Sequence, residues 1–327
     1  MDKIRPNSES KTKRIIVTGG AGFIGSHVTD AYIEAGYEVA IVDNLSTGRR
    51  TNLNPAARFY ETDIRSDELD NIFRKEHPEI VNHHAAQISV PESVRDPRYD
   101  ADVNVLGFIN VMECAIRHEV KKIIFISSGG AIYGEADVNP TPETYPAKPL
   151  SPYAINKLVS EHYLQFYRHQ YGLDYTILRY ANVYGPRQIP KGEAGVVSIF
   201  IENLLAKKPS VVNAFPADPR GMERDYCYVG DIARANLSAL EAGTTGIFNI
   251  GTGTATRTAD LYDIIYRNLT TRHPELANPE RAPARQGDIR RNCLNIEKAL
   301  KKLNWTPSMN LHNGIPQTIA WYLARRK

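Results

Sequence analysis

A glycine cluster near the start of the chain limits the folds open to this sequence more than any other feature. Residues 13–27 read K-R-I-I-V-T-G-G-A-G-F-I-G-S-H, so a β-branched apolar run meets Gly19, Gly22 and Gly25 at G-x-x-G-x-x-G spacing. The apolar run predicts a buried strand, and the residues after the glycines are compatible with a helix. Gly19 permits a tight turn, Gly22 lets the backbone approach a pyrophosphate, and Gly25 allows close packing of helix on strand. The pattern predicts a phosphate-binding turn, with an ordinary glycine-rich turn as the alternative.

A second apolar strand ends on a carboxylate and indicates which nucleotide is bound. Residues 37–43 read Y-E-V-A-I-V-D. An acid at this place accepts hydrogen bonds from the adenosine ribose hydroxyls and repels a 2′-phosphate, so Asp43 favours NAD over NADP. Arg49 and Arg50 follow the next turn and could bind a 2′-phosphate, but we interpret them as solvated charges.

Strands and helices continue to alternate along the first half of the chain. Apolar runs predict further strands at residues 58–64, 79–83, 121–128 and 174–180, and helical periodicity appears at residues 66–75 and 100–117. Ser66 is the expected N-cap of the first of these helices. Strands separated by helices, with phosphate-binding features at their carboxyl ends, predict an α/β protein with a doubly wound parallel sheet of the Rossmann type.

Composition excludes several other classes of protein. The net charge of +3 is too small to indicate nucleic-acid binding. The 3 cysteines are widely spaced, and an odd number argues against a disulfide framework and for a reducing compartment. No stretch approaches the roughly 18 apolar residues of a membrane span, so we expect a cytoplasmic protein. His83 and His84 would point to opposite faces of a strand with no third ligand nearby, which argues against a metal site.

The pair Tyr153 and Lys157 is the candidate chemical centre. Both residues project from one face of a helix that Ser151 is expected to cap, with Pro152 at its first position. A tyrosine has a pKa near 10, and lowering it by about three units requires roughly 4 kcal/mol of differential stabilisation. A neighbouring ammonium and a positive nicotinamide ring are the expected sources, which would make Tyr153 a general base. Such a pair also arises by chance in many helices, so its position after the glycine turn carries the argument.

The chain resembles the extended short-chain dehydrogenase/reductase family, and within it the UDP-glucose 4-epimerases. The resemblance covers nearly the whole chain and rests on these segments: T-G-G-A-G-F-I-G-S-H, D-N-L-S-T-G, H-A-A-Q, S-S-G-G-A-I-Y-G, S-P-Y-A-I-N-K, R-Y-A-N-V-Y-G-P-R, R-D-Y and R-Q-G-D. It implies an NAD-dependent C4 epimerisation of a UDP-hexose, either UDP-glucose and UDP-galactose or also their N-acetyl counterparts, through a transient 4-keto intermediate. A UDP-glucuronate 4-epimerase and a catalytically silent NAD-binding regulatory protein are the alternatives.

The resemblance assigns the catalytic roles. Tyr153 is the base, and Lys157 lowers its pKa and holds the nicotinamide ribose. The family's third group, a Ser or Thr four positions before the tyrosine of V-Y-G, falls on Gly129, so Ser128, Ser127 or a water must replace it, and we select Ser128. No acid occupies positions 129–131, whereas the related dehydratases need one just after the catalytic hydroxyl, and this favours epimerisation.

The resemblance also predicts the binding residues. Asn182 would contact the phosphates, Val196 and Val197 the uracil, and Arg224 and Arg285 the diphosphate, although each arginine alone is more often a surface charge. Asp288 would accept a hydrogen bond from a ribose, and Asn292 takes the place of a bulky pocket gate, so we expect tolerance of an N-acetyl group. The residues expected to hold NAD are Gly19, Gly22, Phe23, Ile24, Gly25, Asp43, Asn44, Ser46, Thr47, Gly48, Asp63, Ile64, Ala85, Ala86, Gln87, Asn104, Tyr153 and Lys157.

The expected domain organisation follows. Residues 1–12 form a disordered leader, and residues 13–180 an NAD-binding Rossmann domain to which some later segments return. Residues 181–327 form mainly a smaller C-terminal α/β domain that binds the nucleotide sugar. The family implies a homodimer through helices at residues 100–117 and 152–170, and we expect no membrane or nucleic-acid partner.

Overall fold

The computed structural model describes residues 13–190, 195–241, 243–269, 271–285 and 287–326. The predicted leader at residues 1–12 lies outside them. The described strands are β1 (Arg14–Thr18), β2 (Glu38–Asp43), β3 (Arg58–Glu61), β4 (Ile80–His83), β5 (Lys122–Ser128), β6 (Asp174–Tyr180), β7 (Asn182–Tyr184), β8 (Val211–Ala214), β9 (Glu223–Tyr228), β10 (Gly246–Ile250), β11 (Ala255–Arg257), β12 (Glu280–Pro283) and β13 (Arg291–Asn292).

Seven of these strands form one sheet in the order β3-β2-β1-β4-β5-β6-β10, and every pairing in it is parallel. This strand order reverses direction between β1 and β4, as in doubly wound dinucleotide-binding sheets. The predicted Rossmann-type sheet is therefore confirmed. A second, smaller sheet joins β7, β11 and β13 to β9, and β8 pairs with β12.

Helices cover both faces of the large sheet. The described α-helices are α1 (Phe23–Glu34), α2 (Glu68–Glu76), α3 (Val90–Arg95), α4 (Pro97–Ala101), α5 (Gly107–Arg117), α6 (Gly129–Ile132), α7 (Pro152–Tyr171), α8 (Val196–Leu205), α9 (Val229–Ala239), α10 (Thr258–Asn268), α11 (Glu297–Lys302) and α12 (Leu311–Ala324). A π-helical turn, Asp102–Leu106, joins α4 to α5, so the helix predicted over residues 100–117 is present but interrupted.

The core lies on both sides of the large sheet. Successive residues of β1 point to opposite faces, so Ile15 packs with α1 and α9 whereas Ile16 packs with α2, α5 and α7. This arrangement explains the continuous apolar runs, because a parallel sheet is covered on both faces. A third cluster of buried side chains surrounds α8, α10 and α12 and builds the region that follows β6.

Local signals in the sequence placed most element ends correctly. Ser151 caps α7, since its hydroxyl accepts a hydrogen bond from the Ala154 amide at 3.2 Å. Helix α2 begins at Glu68 with Asp67 at the N-cap position, but the capping hydrogen bond comes from the predicted residue, since the Ser66 hydroxyl accepts from the Glu68 amide at 3.2 Å. β10 and α9 return to the large sheet from the second half of the chain, while the exact domain boundary at residue 180 stays a prediction.

Candidate active site

A cleft of about 1160 Å³ opens at the carboxyl ends of the parallel strands. The strands β1, β2, β4 and β5 end at one side of it, and the region after β6 closes the other side. Ligands of doubly wound sheets bind in this crevice, where the strand order reverses. The cleft is therefore the candidate active site.

The glycine turn forms one wall of the cleft in the conformation its sequence predicts. Gly19 has a φ of +70°, which a residue with a side chain rarely adopts. A Cβ added at Gly25 would lie 2.2 Å from the Gly19 carbonyl oxygen, so only glycine permits this approach. Helix α1 begins directly after Gly22 without a side-chain cap. This combination of tight turn and uncapped helix start suits a pyrophosphate.

Asp43 ties the end of β2 to the glycine turn. Its carboxylate accepts hydrogen bonds from the Ala21 amide at 2.9 Å and the Leu45 amide at 2.8 Å, and burial raises its pKa. Gly48 packs against this carboxylate, because a Cβ there would lie 2.7 Å from the Asp43 Oδ1. Asp43 lines the cleft, whereas Arg50 pairs with Glu61 in solvent, as expected for a solvated charge.

Tyr153, Lys157 and Ser128 meet on the floor of the cleft. Ser128 ends β5, and its hydroxyl lies close enough to the Tyr153 phenol to lower the pKa of that group. The Lys157 ammonium donates to the carbonyl of Ile126 at 2.9 Å and lies over the Phe125 ring, 5.0 Å from its centroid. The arrangement joins a hydroxyl, a phenol and an ammonium in one site.

The expected lowering of the Tyr153 pKa is not present in the protein alone. Burial raises the pKa of Tyr153 to about 12, and the neighbouring hydroxyl of Ser128 only partly opposes this effect. Lys157 does not offset it, because its ammonium is directed to a backbone carbonyl and stays 6.0 Å from the Tyr153 ring centroid. Burial also lowers the pKa of Lys157, to about 8. The lowering must therefore come from ligands.

Gly129 does not face the reacting groups. A Cβ added there would lie 2.6 Å and 2.8 Å from the Cδ atoms of Leu294, a fully buried residue on the far side of α6. The side chain of Ser128 points into the cleft instead. Position 129 thus offers no route for a hydroxyl to reach Tyr153, and the hydroxyl that does so comes from position 128.

The opposite wall carries the predicted substrate residues. Asn182, Val196, Val197 and the pair Arg285 and Asp288 line the cleft. The Arg285 amide donates to the Asp288 carboxylate at 2.7 Å.

Arg224 also lines this wall. Burial lowers the pKa of its guanidinium, which within the described residues has no carboxylate partner within ion-pair distance. Such a cation in a cleft suits a diphosphate, since its donors match the phosphate oxygens.

Three predicted site residues do not line the cleft. Gly48 packs behind Asp43, and Asn104 lies behind Gln87, whose amide donates to the Asn104 Oδ1 at 2.9 Å. Asn292 is buried and donates to the Gly129 carbonyl at 3.0 Å, because β13 pairs with β9 and directs this side chain away from the cleft. The interpretation of Asn292 as a pocket gate therefore has no support in this geometry.

The sequence pattern missed several residues of the cleft. His84 follows β4 and lines it, as do Gln188, Asn203 and Thr258. His83 is instead fully buried, stacked on Phe125 and hydrogen-bonded to Thr18. The only available signal was alternation along β4, which places neighbouring histidines on opposite faces. No three His, Cys, Asp or Glu side chains of the described ranges group as metal ligands.

The site defines a class of protein: a doubly wound α/β enzyme that holds a dinucleotide against a tyrosine–lysine pair. The glycine turn, the uncapped helix start and the carboxylate of Asp43 fit NAD. Residues 15–251 match the model of the NAD dependent epimerase/dehydratase family, and the chain belongs to that family.

Curated and solved relatives cover almost the whole chain. A putative UDP-glucose 4-epimerase of Methanocaldococcus jannaschii is 46% identical over 307 residues, which are 94% of this chain and 97% of the relative. The structure of the Thermotoga maritima UDP-glucose 4-epimerase with UDP-glucose has a TM-score of 0.91 and 47% identity over 96% of this chain and 100% of its own. That of the Thermus thermophilus UDP-glucose 4-epimerase with NAD has a TM-score of 0.87 and 42% identity over 95% and 99%.

None of the described helices combines the length and apolar character needed to span a bilayer.

Proposed function

We propose that this protein is an NAD-dependent isomerase that interconverts the C4 epimers of a UDP-hexose. The observation that carries the proposal is that Tyr153, Lys157 and Ser128 line the same cleft as the glycine turn and Arg224. The relatives named UDP-glucose 4-epimerase, at 46% and 47% identity over nearly the whole chain, support the same reaction.

Each of the central residues of the cleft has a separate role in the reaction. Tyr153 takes the proton of the C4 hydroxyl, and the neighbouring hydroxyl of Ser128 shares that proton. Lys157 contributes an ammonium beside the developing phenolate. The glycine turn and Asp43 would hold NAD, which would supply the hydride acceptor and donor for C4, with no net redox change.

The nucleotide must stay bound while the sugar changes face. Arg224 is the anchor for the diphosphate, with Arg285 as the second cation and Asn182 beside it on the same wall. Val196 and Val197, at the start of α8, provide the apolar surface for uracil. The 4-keto sugar rotates in the cleft after the hydride is removed and before it is returned, so the hydride can be returned to either face and one cleft serves both epimers.

Turnover without added cofactor tests this proposal. Purified protein is incubated with UDP-glucose, UDP-galactose, their N-acetyl counterparts and UDP-glucuronate, and the products are separated by chromatography. Interconversion of a C4 pair by wild type and its loss in Tyr153→Phe support the proposal. Turnover of UDP-glucuronate alone would replace it with the uronate reaction, and bound NAD without turnover of any pair would indicate a binding protein.

We infer that the active form is a homodimer. Leu106 on the π-helical turn and Ile155 and Phe166 on α7 are exposed by 58%, 46% and 48%, and these helices are the ones the family pairs. A double variant, Ile155→Glu with Phe166→Glu, should sediment as a monomer while wild type sediments as a dimer. Leu300→Glu, an exposed residue on α11, is the matched control and should not change the sedimentation. A monomeric wild type would contradict the inference.

The cytoplasm is the proposed location, because Cys114, Cys227 and Cys293 are all buried free thiols and a reducing compartment keeps them so. Fractionation of the native cells with an antibody would test this location.

A further inference from the structure

Asp100 is a buried carboxylate next to the candidate active site that no role assigned so far explains. Asp100 lies near the end of α4 and has no exposed surface. Its carboxylate oxygens accept hydrogen bonds from Gln87 at 2.9 Å, Asn104 at 3.0 Å and Asn156 at 2.8 Å. All of these donors are side-chain amides. Among the described residues, no lysine, arginine or histidine lies within ion-pair distance of it.

A buried carboxylate of this kind destabilises the folded state, so its presence calls for an explanation. A buried carboxylate without a paired cation loses its hydration, and neutral amides replace only part of that stabilisation. The negative charge of Asp100 raises the pKa of two buried groups of the site, the Lys157 ammonium and the Tyr153 phenol. Asn156, which donates to Asp100, lies between these two residues on α7.

A π-helical turn next to Asp100 places one of its hydrogen-bond partners. The π-helical turn Asp102–Leu106 turns Asn104 inward, where its amide group donates to both Asp100 and the Gln87 carbonyl. Such turns are frequent at functional sites. Gln87 in turn lines the cleft just after β4. Asp100 thus joins the loop after β4 to the helix that carries Tyr153.

We propose that Asp100 is a positioning residue for the reaction: its hydrogen bonds to Gln87 and Asn156 fix the loop after β4 relative to α7, the helix that carries Tyr153 and Lys157. The role in turnover rests on the proposed epimerase function, whereas the electrostatic link to Lys157 does not. Other charges act on Lys157 as well. The titratable groups that face it are Tyr153 and Glu161 on α7, Asp100, and His83 and His84 at the end of β4. Glu161 is already paired with Arg179, so Asp100 is the carboxylate left for Lys157.

The pH profile of turnover distinguishes this role from a purely structural one. Asp100 raises the pKa of both Tyr153 and Lys157, so its removal lowers both. In Asp100→Asn the acidic and the basic limbs of kcat should therefore both move to lower pH, by about half a unit or more. Asp231→Asn is the matched control, because Asp231 is an equally buried carboxylate on α9 outside the cleft. It should lower stability and leave both limbs in place.

A stability measurement tests the electrostatic link without any turnover. In Lys157→Met, the buried charge of Asp100 is left without a nearby cation, which makes it more costly to the folded state. The free energy of unfolding lost in this variant should then be smaller at pH 5 than at pH 7, because protonation of Asp100 removes the penalty. In the double variant with Asp100→Asn this dependence should disappear.

Three results would overturn the proposal. The first is a pH profile of kcat for Asp100→Asn that is lower than that of wild type but keeps both limbs at the same pH, with the NAD content of the purified variant unchanged. The second is a cost of Lys157→Met that is equal at pH 5 and pH 7, and this measurement stands even if Asp100→Asn does not fold. The third is the same pH dependence in the double variant. An inactive wild type that still shows the stability effect would instead refute only the epimerase function.

Discussion

A serine introduced at position 129 would test which residue supplies the catalytic hydroxyl. The motif count places the family's hydroxyl at Gly129, but the structure directs that position to Leu294 and brings Ser128 to Tyr153. If the catalytic hydroxyl belonged at position 129, Gly129→Ser should restore a missing group and raise activity. If the geometry is correct, it should only disturb packing.

The magnitude follows from the contact distances. A Cβ at position 129 would lie 2.6 Å from the nearest Leu294 carbon, well inside contact distance, and Leu294 is fully buried, so it cannot swing into solvent. Overpacking of this kind costs about 1–3 kcal/mol. The loss should appear as a lower midpoint of urea unfolding with an unchanged slope. Leu294→Ala in the same chain should relieve part of it, because it removes the atoms that clash.

Activity completes the test. Ser128→Ala should lower kcat by about 10²-fold or more, as expected for loss of a group that shares the transferred proton. Ser128→Thr keeps the hydroxyl and is the matched control, with activity close to that of wild type. The double variant Ser128→Ala with Gly129→Ser should stay as inactive as Ser128→Ala. Recovery of turnover in the double variant would refute the assignment of the hydroxyl to position 128.

Three further perturbations address the cofactor, the core and the substrate. Gly25→Ala places a Cβ 2.2 Å from the Gly19 carbonyl oxygen, so the purified protein should lack NAD and bind added NAD at least about tenfold more weakly by calorimetry; tight binding would contradict the role of this turn. Glu161→Gln leaves Arg179 buried without its carboxylate and should cost about 3–5 kcal/mol in urea unfolding, whereas a loss below about 1 kcal/mol would show that the pair is not needed. Arg224→Gln should raise KM for the UDP-sugar by about tenfold or more with NAD content unchanged, and an unchanged KM would remove Arg224 from the diphosphate site.

Local patterns predicted much of the architecture. The runs at residues 14–18, 38–43, 122–128 and 174–180 are strands, because both faces of a parallel sheet are buried and alternation is lost. The spacing of Tyr153 and Lys157, the cap at Ser151 and the glycines of the first turn depend on neighbours within a few residues. Such features follow from helix geometry and backbone sterics, so they can be inferred before any tertiary contact is known.

Features that depend on distant parts of the chain could not be inferred in this way. A motif count placed the hydroxyl at Gly129, one residue from where it lies, because strand β5 ends in a helical turn that reverses which side chain faces the cleft. Asn292 was expected at the pocket, but its strand pairs with β9 and turns it to the Gly129 backbone. The pKa of Tyr153 in the protein alone depends on burial by residues far apart in sequence, so the direction of that effect could not be inferred from the spacing of Tyr153 and Lys157.

The sequence by itself therefore determined the type of sheet, the position of the glycine turn, the preference for NAD and the tyrosine–lysine pair, because each is set by residues that are neighbours in the chain. Only the tertiary structure decided which hydroxyl meets Tyr153, which arginine is left without a carboxylate, and that Asp100 lies buried beside Lys157. These properties arise from side chains that meet only after the strands have paired and the solvent has been excluded, and no spacing along the chain encodes them directly.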